Sequence, residues 1–200
     1  MLDKLALTTK RTFLVSYALF NIFCFGKITS NKNLSEHLKI FYHAQQIQDF
    51  NKALGNAGSY IKKIKYIDDL ENYGVDNYYA SLKVINGRMK DDCDGKAVVG
   101  MALLNKFKPK MLIIGLDSLY TQAHAECFVE IDNKFYAPGV NDNKGVISLK
   151  GLIEAISSQF ENKYNWKYYK IGKFKLEDLL NADGDIKDKM IVLDEGNIEN

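Results

Sequence analysis

The sequence contains only two prolines and three cysteines in 200 residues. So little proline excludes collagen-like and proline-rich proteins. The three cysteines are too few and too far apart for a disulfide scaffold or a CxxC zinc site. An excess of charge of one sign is also absent, because 27 basic residues balance 25 acidic ones and leave a net charge of +2. We therefore expect no nucleic-acid partner, and the 46% of hydrophobic residues predicts a single globular domain.

An apolar run, TFLVSYALFNIFCFG, occupies residues 12–26 and follows Lys4, Lys10 and Arg11. It is shorter than the roughly 20 residues that span a bilayer and has the length and basic flank of an export signal. The sequence thus predicts a signal peptide or N-terminal anchor over residues 1–30 and one domain over residues 31–200. This predicts a periplasmic or otherwise exported protein that touches the membrane only through that segment. An apolar first helix packed on the domain is the alternative.

The hydrophobic spacing predicts an α+β domain. An amphipathic helix is expected from Ser35 to a stop at Gly55, a second helical stretch at 60–67, and an irregular loop before residue 80. A helix that is apolar on all sides follows at 95–107, then a buried strand at 111–116. Two further strands, AHAECFVEI and KFYAPGV, flank Asp132 and Asn133 and predict a hairpin. A helix at 145–160 and a strand at 166–171 complete the pattern, and the tail turns polar from residue 181, apart from MIVL at 190–193.

Cys93 comes directly before the apolar helix, within KDDCDGKAVVG. A thiol at a helix N-terminus faces the positive end of the helix dipole, which favours the nucleophilic thiolate. The neighbouring carboxyl groups of Asp91, Asp92 and Asp94 act in the opposite direction, because adjacent anions raise the pKa of a thiol. A catalytic Cys93 therefore needs a compensating cation, either an imidazolium or a divalent metal ion.

His124 is placed to be that partner, because it lies on the strand after the one that follows the cysteine helix. With the hairpin turn at 132–133, counting back along both strands sets His124 opposite Asn141 on one face. The same count puts Cys127 on the other, apolar face. The count therefore predicts His124 as the partner of the Cys93 thiol and Asn141 as the residue that orients its imidazole.

Two parts of the sequence resemble bacterial transglutaminase-like cysteine peptidases. The segment IKYIDDLENYGVDNYYASLKVINGRMKDDCDGKAVVGMALL is similar to the family's D…WGVxDYW segment, which precedes GDCEDYA and its helix. Asp69, residues 73–75, residues 77–79 and residues 92–94 match in order. The stretch HAECFVEIDNKFYAPG is similar to the family's histidine strand and returning strand, so the resemblance covers roughly residues 60–142.

The resemblance implies a papain-like, transglutaminase-like core in which a cysteine-bearing helix packs on an antiparallel sheet. It implies that Cys93 and His124 hydrolyse a protein substrate through a thioester. Relatives of this kind are calcium-dependent periplasmic proteases that release surface adhesins, which implies an adhesin-like substrate. It also implies that Asp92 and Asp94 bind Ca²⁺, whereas a solvated acidic loop that caps the helix is the alternative.

The sequence leaves the third catalytic residue and the type of reaction open. The family's third catalytic residue, an aspartate, would fall on Gly139, so Asn141, Asp142 or no residue fills that role. The chain is then a peptidase, a catalytically eroded binding or accessory domain, or a protein-crosslinking acyltransferase in which an amine resolves the thioester.

A zinc deaminase site at His124-Ala125-Glu126 is excluded, because no P-C-x-x-C follows it. In addition, His124 and Cys127 lie three apart on a strand and therefore face opposite sides.

Overall fold

A computed structural model describes residues 48–141, 144–161, 163–182 and 184–198. The predicted export segment and the first part of the amphipathic helix lie outside these residues. The described helices are α1 (48–61), α2 (Asp69–Tyr73), α3 (Leu82–Arg88), α4 (Cys93–Leu103), α5 (Leu149–Ser158) and α6 (Leu176–Asn181), with 3₁₀ turns at Asn105–Phe107 and Lys187–Lys189. The strands are β1 (Lys65–Tyr66), β2 (Lys90–Asp91), β3 (Lys110–Gly115), β4 (Ala123–Ile131), β5 (Lys134–Tyr136), β6 (Tyr168–Lys173) and β7 (Ile191–Asn197).

Five of the strands form one sheet in the order β5-β4-β3-β6-β7, and every neighbouring pair is antiparallel. Strands β1 and β2 form a separate parallel pair. Helix α4, which begins at Cys93, packs on the central part of the large sheet against β4 and β3. The predicted α+β class, with a cysteine-bearing helix on an antiparallel sheet, is confirmed.

Alternation along the strands separates the core into two layers, because successive side chains point to opposite faces of a sheet. One face packs against α1 and α4, and its buried strand residues are Met111, Ile113, Ala125, Cys127 and Val129. The other face packs against α5, and its buried strand residues are Leu112, Ile114 and Phe128. The prediction that Cys127 is a core residue is correct.

Helix α1 differs from the prediction at its C-terminal end. The predicted stop at Gly55 is wrong, because the helix continues to residue 61. Phe50, Leu54 and Ala57 are all buried on one side of it, and this packing outweighs the cost of about 1 kcal/mol that an internal glycine imposes. The predicted second helical stretch at 60–67 is also wrong, since residues Lys65–Tyr66 form β1.

Two further elements were not predicted. The expected loop before residue 80 contains α2, which begins after the capping side chain of Asp68 and ends at Gly74 in the left-handed conformation (φ 78°). The polar tail contains β7, an edge strand that pairs with β6. Half-exposed strands and single-turn helices carry too little hydrophobic periodicity to be recognised from a sequence.

The β4–β5 hairpin confirms the predicted turn. Asp132 and Asn133 both have positive φ angles, 52° and 58°, as a two-residue type I′ turn requires. Ile131 pairs with Lys134, which is the predicted register. Strand β5 nevertheless ends at Tyr136, only three residues after the turn.

The close approach of α4 to β4 gives a test of this packing. A Cβ atom added at Gly100 would lie 2.8 Å from Cβ of Cys127, whereas one added at Gly55 would meet nothing within 4 Å. We expect Gly100→Ala to lower the free energy of unfolding by about 1–3 kcal/mol through overpacking. The control Gly55→Ala should raise it by about 0.5–1 kcal/mol. Urea denaturation measures both, and equal stability of the two variants would contradict the packing described.

Candidate active site

Cys93 is the first residue of α4. Asp92 caps the helix, and its side chain accepts a hydrogen bond of 3.0 Å from the backbone N–H of Asp94. The parallel β1–β2 pair, in which Tyr66 lies beside Asp91, leads the chain into this cap. The local sequence thus sets the thiol at the positive end of an eleven-residue helix.

Beyond the end of β5, the edge of β4 has backbone N–H groups that do not pair with β5. In a two-residue hairpin the N–H of Ile131 points toward β5, and those of residues two, four and six positions earlier point the same way. Because β5 pairs only with Val129–Ile131, the N–H groups of Ala125 and Cys127 have no strand partner on that side. Side-chain atoms accept hydrogen bonds from these two N–H groups instead. The Ala125 N–H donates to the thiol sulfur of Cys93, and the Cys127 N–H donates to Oε1 of Glu126 at 3.1 Å.

His124 precedes Ala125 on the same open edge. Its ring packs edge-on against Phe160, which follows α5, with the ring centroids 4.9 Å apart. Its Nε2 atom is buried and has no hydrogen-bond partner within the described residues. The carboxylate of Glu126 lies beside it, with Oε2 3.7 Å from Nε2. As predicted, the side chains of His124 and Cys127 belong to opposite faces of the strand.

Cys93 and His124 line the same cavity, which has a volume of about 620 Å³. Phe160, Tyr164 and Trp166 form an aromatic part of its wall, and two lysines, Lys62 and Lys96, line it as well. The indole N–H of Trp166 is buried without a partner among the described residues and is therefore a donor available to a bound molecule.

Asn141 is not opposite His124, so the predicted strand count fails beyond Tyr136. The chain turns at Gly139, which has a positive φ of 81°. The Asn141 amide closes this turn, since its oxygen accepts from the Ala137 N–H at 2.7 Å and its nitrogen donates to the Phe135 carbonyl at 3.0 Å. Asn141 does not line the cavity. Had β5 continued to Asn141, it would have covered the N–H groups that Cys93 and Glu126 use. Asp142, the second residue considered for this role, lies outside the described residues.

The surroundings of Cys93 hold its thiol in the neutral form. Burial raises the pKa of Cys93 most, and the carboxylate of Asp92 raises it further. The Ala125 N–H lowers the pKa, but the charges of Asp94 and Glu126 oppose that effect. The sequence-based expectation that the thiol needs a compensating cation therefore holds in the folded structure.

Four carboxyl groups meet beside the thiol, two more than the sequence predicted. Asp69, Asp91, Asp92 and Asp94 can each offer an oxygen within 4.8 Å of the others. Asp69 and Asp94 are only 3% and 4% exposed, and Oδ1 of each has no hydrogen-bond partner within the described part of the chain. The prediction of a solvated acidic loop fails for Asp94, although Asp92 does cap the helix.

Other oxygens of this cluster have protein partners. Oδ2 of Asp91 accepts from the Tyr73 hydroxyl at 2.7 Å, and Oδ2 of Asp69 accepts from the Tyr78 N–H. Burial is the main cause that raises the pKa of Asp69 to about 7 and that of Asp91 to about 6. Burial and the adjacent Asp92 also raise the pKa of Asp94.

This donor set fits a calcium ion. Calcium prefers six to eight oxygen ligands, and carboxylates are its usual protein donors. Four converging carboxyl groups, two of which have a buried oxygen without a partner among the described residues, supply donors of this kind. Gly95 makes the arrangement possible, because a Cβ at this position would overlap the carboxyl group of Asp91. Sequence spacing around Cys93 indicated only part of this cluster, since Asp69 reaches it through the tertiary fold.

Comparison with known proteins gives limited similarity. No protein-family model matches the chain, and no curated protein matches it. Solved structures do match, among them one described as the crystal structure of a TGase, to which this chain is 15% identical. The alignment covers 67% of this chain and 39% of that one, with a TM-score of 0.31. The chain thus spans well under half of that protein, and the similarity concerns the fold alone.

Proposed function

We propose that this protein is a cysteine peptidase in which Cys93 is the nucleophile and His124 is the general base. The observation that carries the proposal is the joint position of the two side chains at the open edge of β4. The Cys93 sulfur is hydrogen-bonded to the N–H of the residue that follows His124, and both side chains line one cavity. Thiol-based acyl transfer requires a base within hydrogen-bond reach of the thiol. The side chain of His124 lies on the face of β4 that packs on α5, so it must reach the Cys93 sulfur around the open strand edge that both groups border.

The reaction follows from these roles. His124 takes the proton of the Cys93 thiol, and the sulfur attacks the carbonyl carbon of a peptide bond. The C–N bond then breaks, and the leaving amine takes the proton from the imidazolium. Water attacks the resulting thioester, which releases the acid and restores the thiol. The positive end of α4 stabilises the negative charge that develops on the carbonyl oxygen.

Calcium dependence is part of the proposal. Asp69, Asp91, Asp92 and Asp94 would hold the ion, and its charge would counter the anions that keep the Cys93 thiol neutral. This extends the sequence-based prediction, which named Asp92 and Asp94 only.

The proposed substrate is an extended segment of another protein. The cavity is within the range of about 300–1,000 Å³ that binding clefts occupy. Its aromatic side chains and the free indole N–H of Trp166 suit an apolar side chain next to a backbone carbonyl. An exported enzyme that cleaves a surface adhesin is the form of this proposal that the sequence resemblance favours.

A second candidate function is transfer of the acyl group to an amine, which would crosslink proteins. The absence of an acidic residue at Gly139 also favours a third candidate, a binding domain whose catalytic site is eroded. The three candidates differ in the fate of the thioester: water resolves it in a peptidase, an amine resolves it in an acyltransferase, and none forms in a binding domain.

A peptide-library experiment distinguishes these functions. The protein is incubated with proteome-derived peptides, Ca²⁺ and an excess of a fluorescent primary amine, and mass spectrometry detects new termini and amine adducts. We expect new carboxyl termini in large excess over amine adducts. Protein alkylated with iodoacetamide is the control and should give neither product. Predominant amine adducts would establish the acyltransferase, and no product from the unmodified protein would reject both enzymes.

A further inference from the structure

Glu126 lies where a third catalytic group would act on the imidazole. It is two residues after His124 on β4 and therefore on the same face of the strand. Its Oε2 is 3.7 Å from Nε2 of His124, and both side chains are about 15% exposed. This is longer than a formed hydrogen bond, but catalytic hydrogen bonds often shorten only when substrate binds.

The carboxylate is held in this position by the open edge of the sheet. Oε1 of Glu126 accepts the N–H of Cys127 at 3.1 Å, which directs the other oxygen toward His124. Nε2 of His124 is buried and has no other partner among the described residues. A buried polar atom without a partner is costly, and the one carboxylate oxygen beside it is the acceptor that can remove this cost.

We propose that Glu126 is the positioning residue of the active site. Its carboxylate accepts the Nε2–H proton of His124, selects the tautomer in which Nδ1 carries the lone pair, and stabilises the imidazolium formed when Nδ1 takes the Cys93 proton. This inference rests on the proposed peptidase function. It assigns to a residue of the histidine's own strand the role that sequence analysis gave to Asn141.

The experiment compares Glu126→Gln and Glu126→Ala with Glu130→Gln. Glu130 is also on β4, and its carboxylate instead pairs with Lys110 at 3.2 Å on the surface. On a peptide selected from the library, we expect Glu126→Ala to lower kcat by about 100-fold or more with little change in KM. Glu126→Gln, which keeps the size of the side chain and an acceptor oxygen, should lose less. Glu130→Gln should match the unmodified protein.

Nitrogen-15 NMR of the imidazole provides a readout that a purely structural role would not change. In the unmodified protein the proton should reside on Nε2 of His124, and in folded Glu126→Ala it should distribute between both nitrogens. An unchanged tautomer, or an unchanged kcat in Glu126→Ala, would overturn the inference. Failure of the proposed peptidase function has a separate sign, because the unmodified protein would then release no new carboxyl termini from the peptide library. The NMR comparison would still decide whether Glu126 fixes the tautomer of His124.

Discussion

Replacing Cys93 with alanine is expected to lower kcat for peptide hydrolysis at least about 10³-fold, because the bond to the acyl intermediate can no longer form. Stability should change little. Cys93 lies at the end of α4, and Asp92 still caps the helix after the substitution. The assay is hydrolysis of a peptide selected from the library in the presence of Ca²⁺, with the melting temperature recorded for each variant.

The companion variant His124→Ala should lose about 10²–10⁴-fold in kcat, the usual contribution of a general base. Alkylation by iodoacetamide adds a control within the same chain. Cys127 is fully buried in the core and should stay unmodified under conditions in which Cys93 reacts. If Cys93→Ala hydrolyses peptides as fast as the unmodified protein, Cys93 is not the nucleophile and the proposed mechanism is wrong.

Calcium is expected to raise the melting temperature by about 5–10 °C when present at about 100 times its dissociation constant. The carboxylates of the acidic cluster are buried and repel one another, and bound calcium would offset both unfavourable effects. The effect should grow with pH. The raised pKa values of Asp69 and Asp91, about 7 and about 6, mean that the metal-free protein loses stability as pH rises from about 4 to 7.

Asp94→Asn is expected to raise the stability of the metal-free protein and to reduce its response to calcium. Replacing this buried carboxyl group with an amide should raise the melting temperature of the metal-free protein near pH 7, because folding then no longer has to protonate a group whose pKa burial and Asp92 raise. The same change should abolish most of the response to calcium, because an anionic ligand is lost. Asp188→Asn, an exposed substitution in the 3₁₀ turn Lys187–Lys189, should alter neither value. A full calcium response in Asp94→Asn would remove Asp94 from the site.

The sequence predicted those residues of the candidate site whose positions depend on local patterns. A cysteine before an apolar helix and a histidine on the following hairpin are visible in the sequence because both depend on local patterns. The Asp132–Asn133 turn is equally local, since two residues that tolerate positive φ define it. Glu126 had a visible signal as well, because a residue two positions from His124 on a strand must share its face.

The end of β5 had a signal in the sequence, because Pro138 and Gly139 follow Tyr136 and interrupt a regular strand. The count nevertheless carried the register through them and placed Asn141 opposite His124. In the fold, Asn141 bonds to the backbone of its own turn, and Cys93 and Glu126 occupy the N–H groups that a longer strand would have covered. A helix, a loop and a strand edge that are distant along the chain thus compete for the backbone N–H groups of β4.

The amino-acid sequence alone determined the fold class, the apolar helix next to Cys93, the hairpin register and the face on which Cys127 is buried. Each of these follows from periodicity and turn chemistry within a few neighbouring residues. Only the tertiary structure decided that Asp69 joins Asp91, Asp92 and Asp94, and that Glu126 rather than Asn141 lies beside His124. Those contacts depend on which polar groups remain unpaired once the sheet and helices have packed, and packing brings together residues that local patterns treat separately.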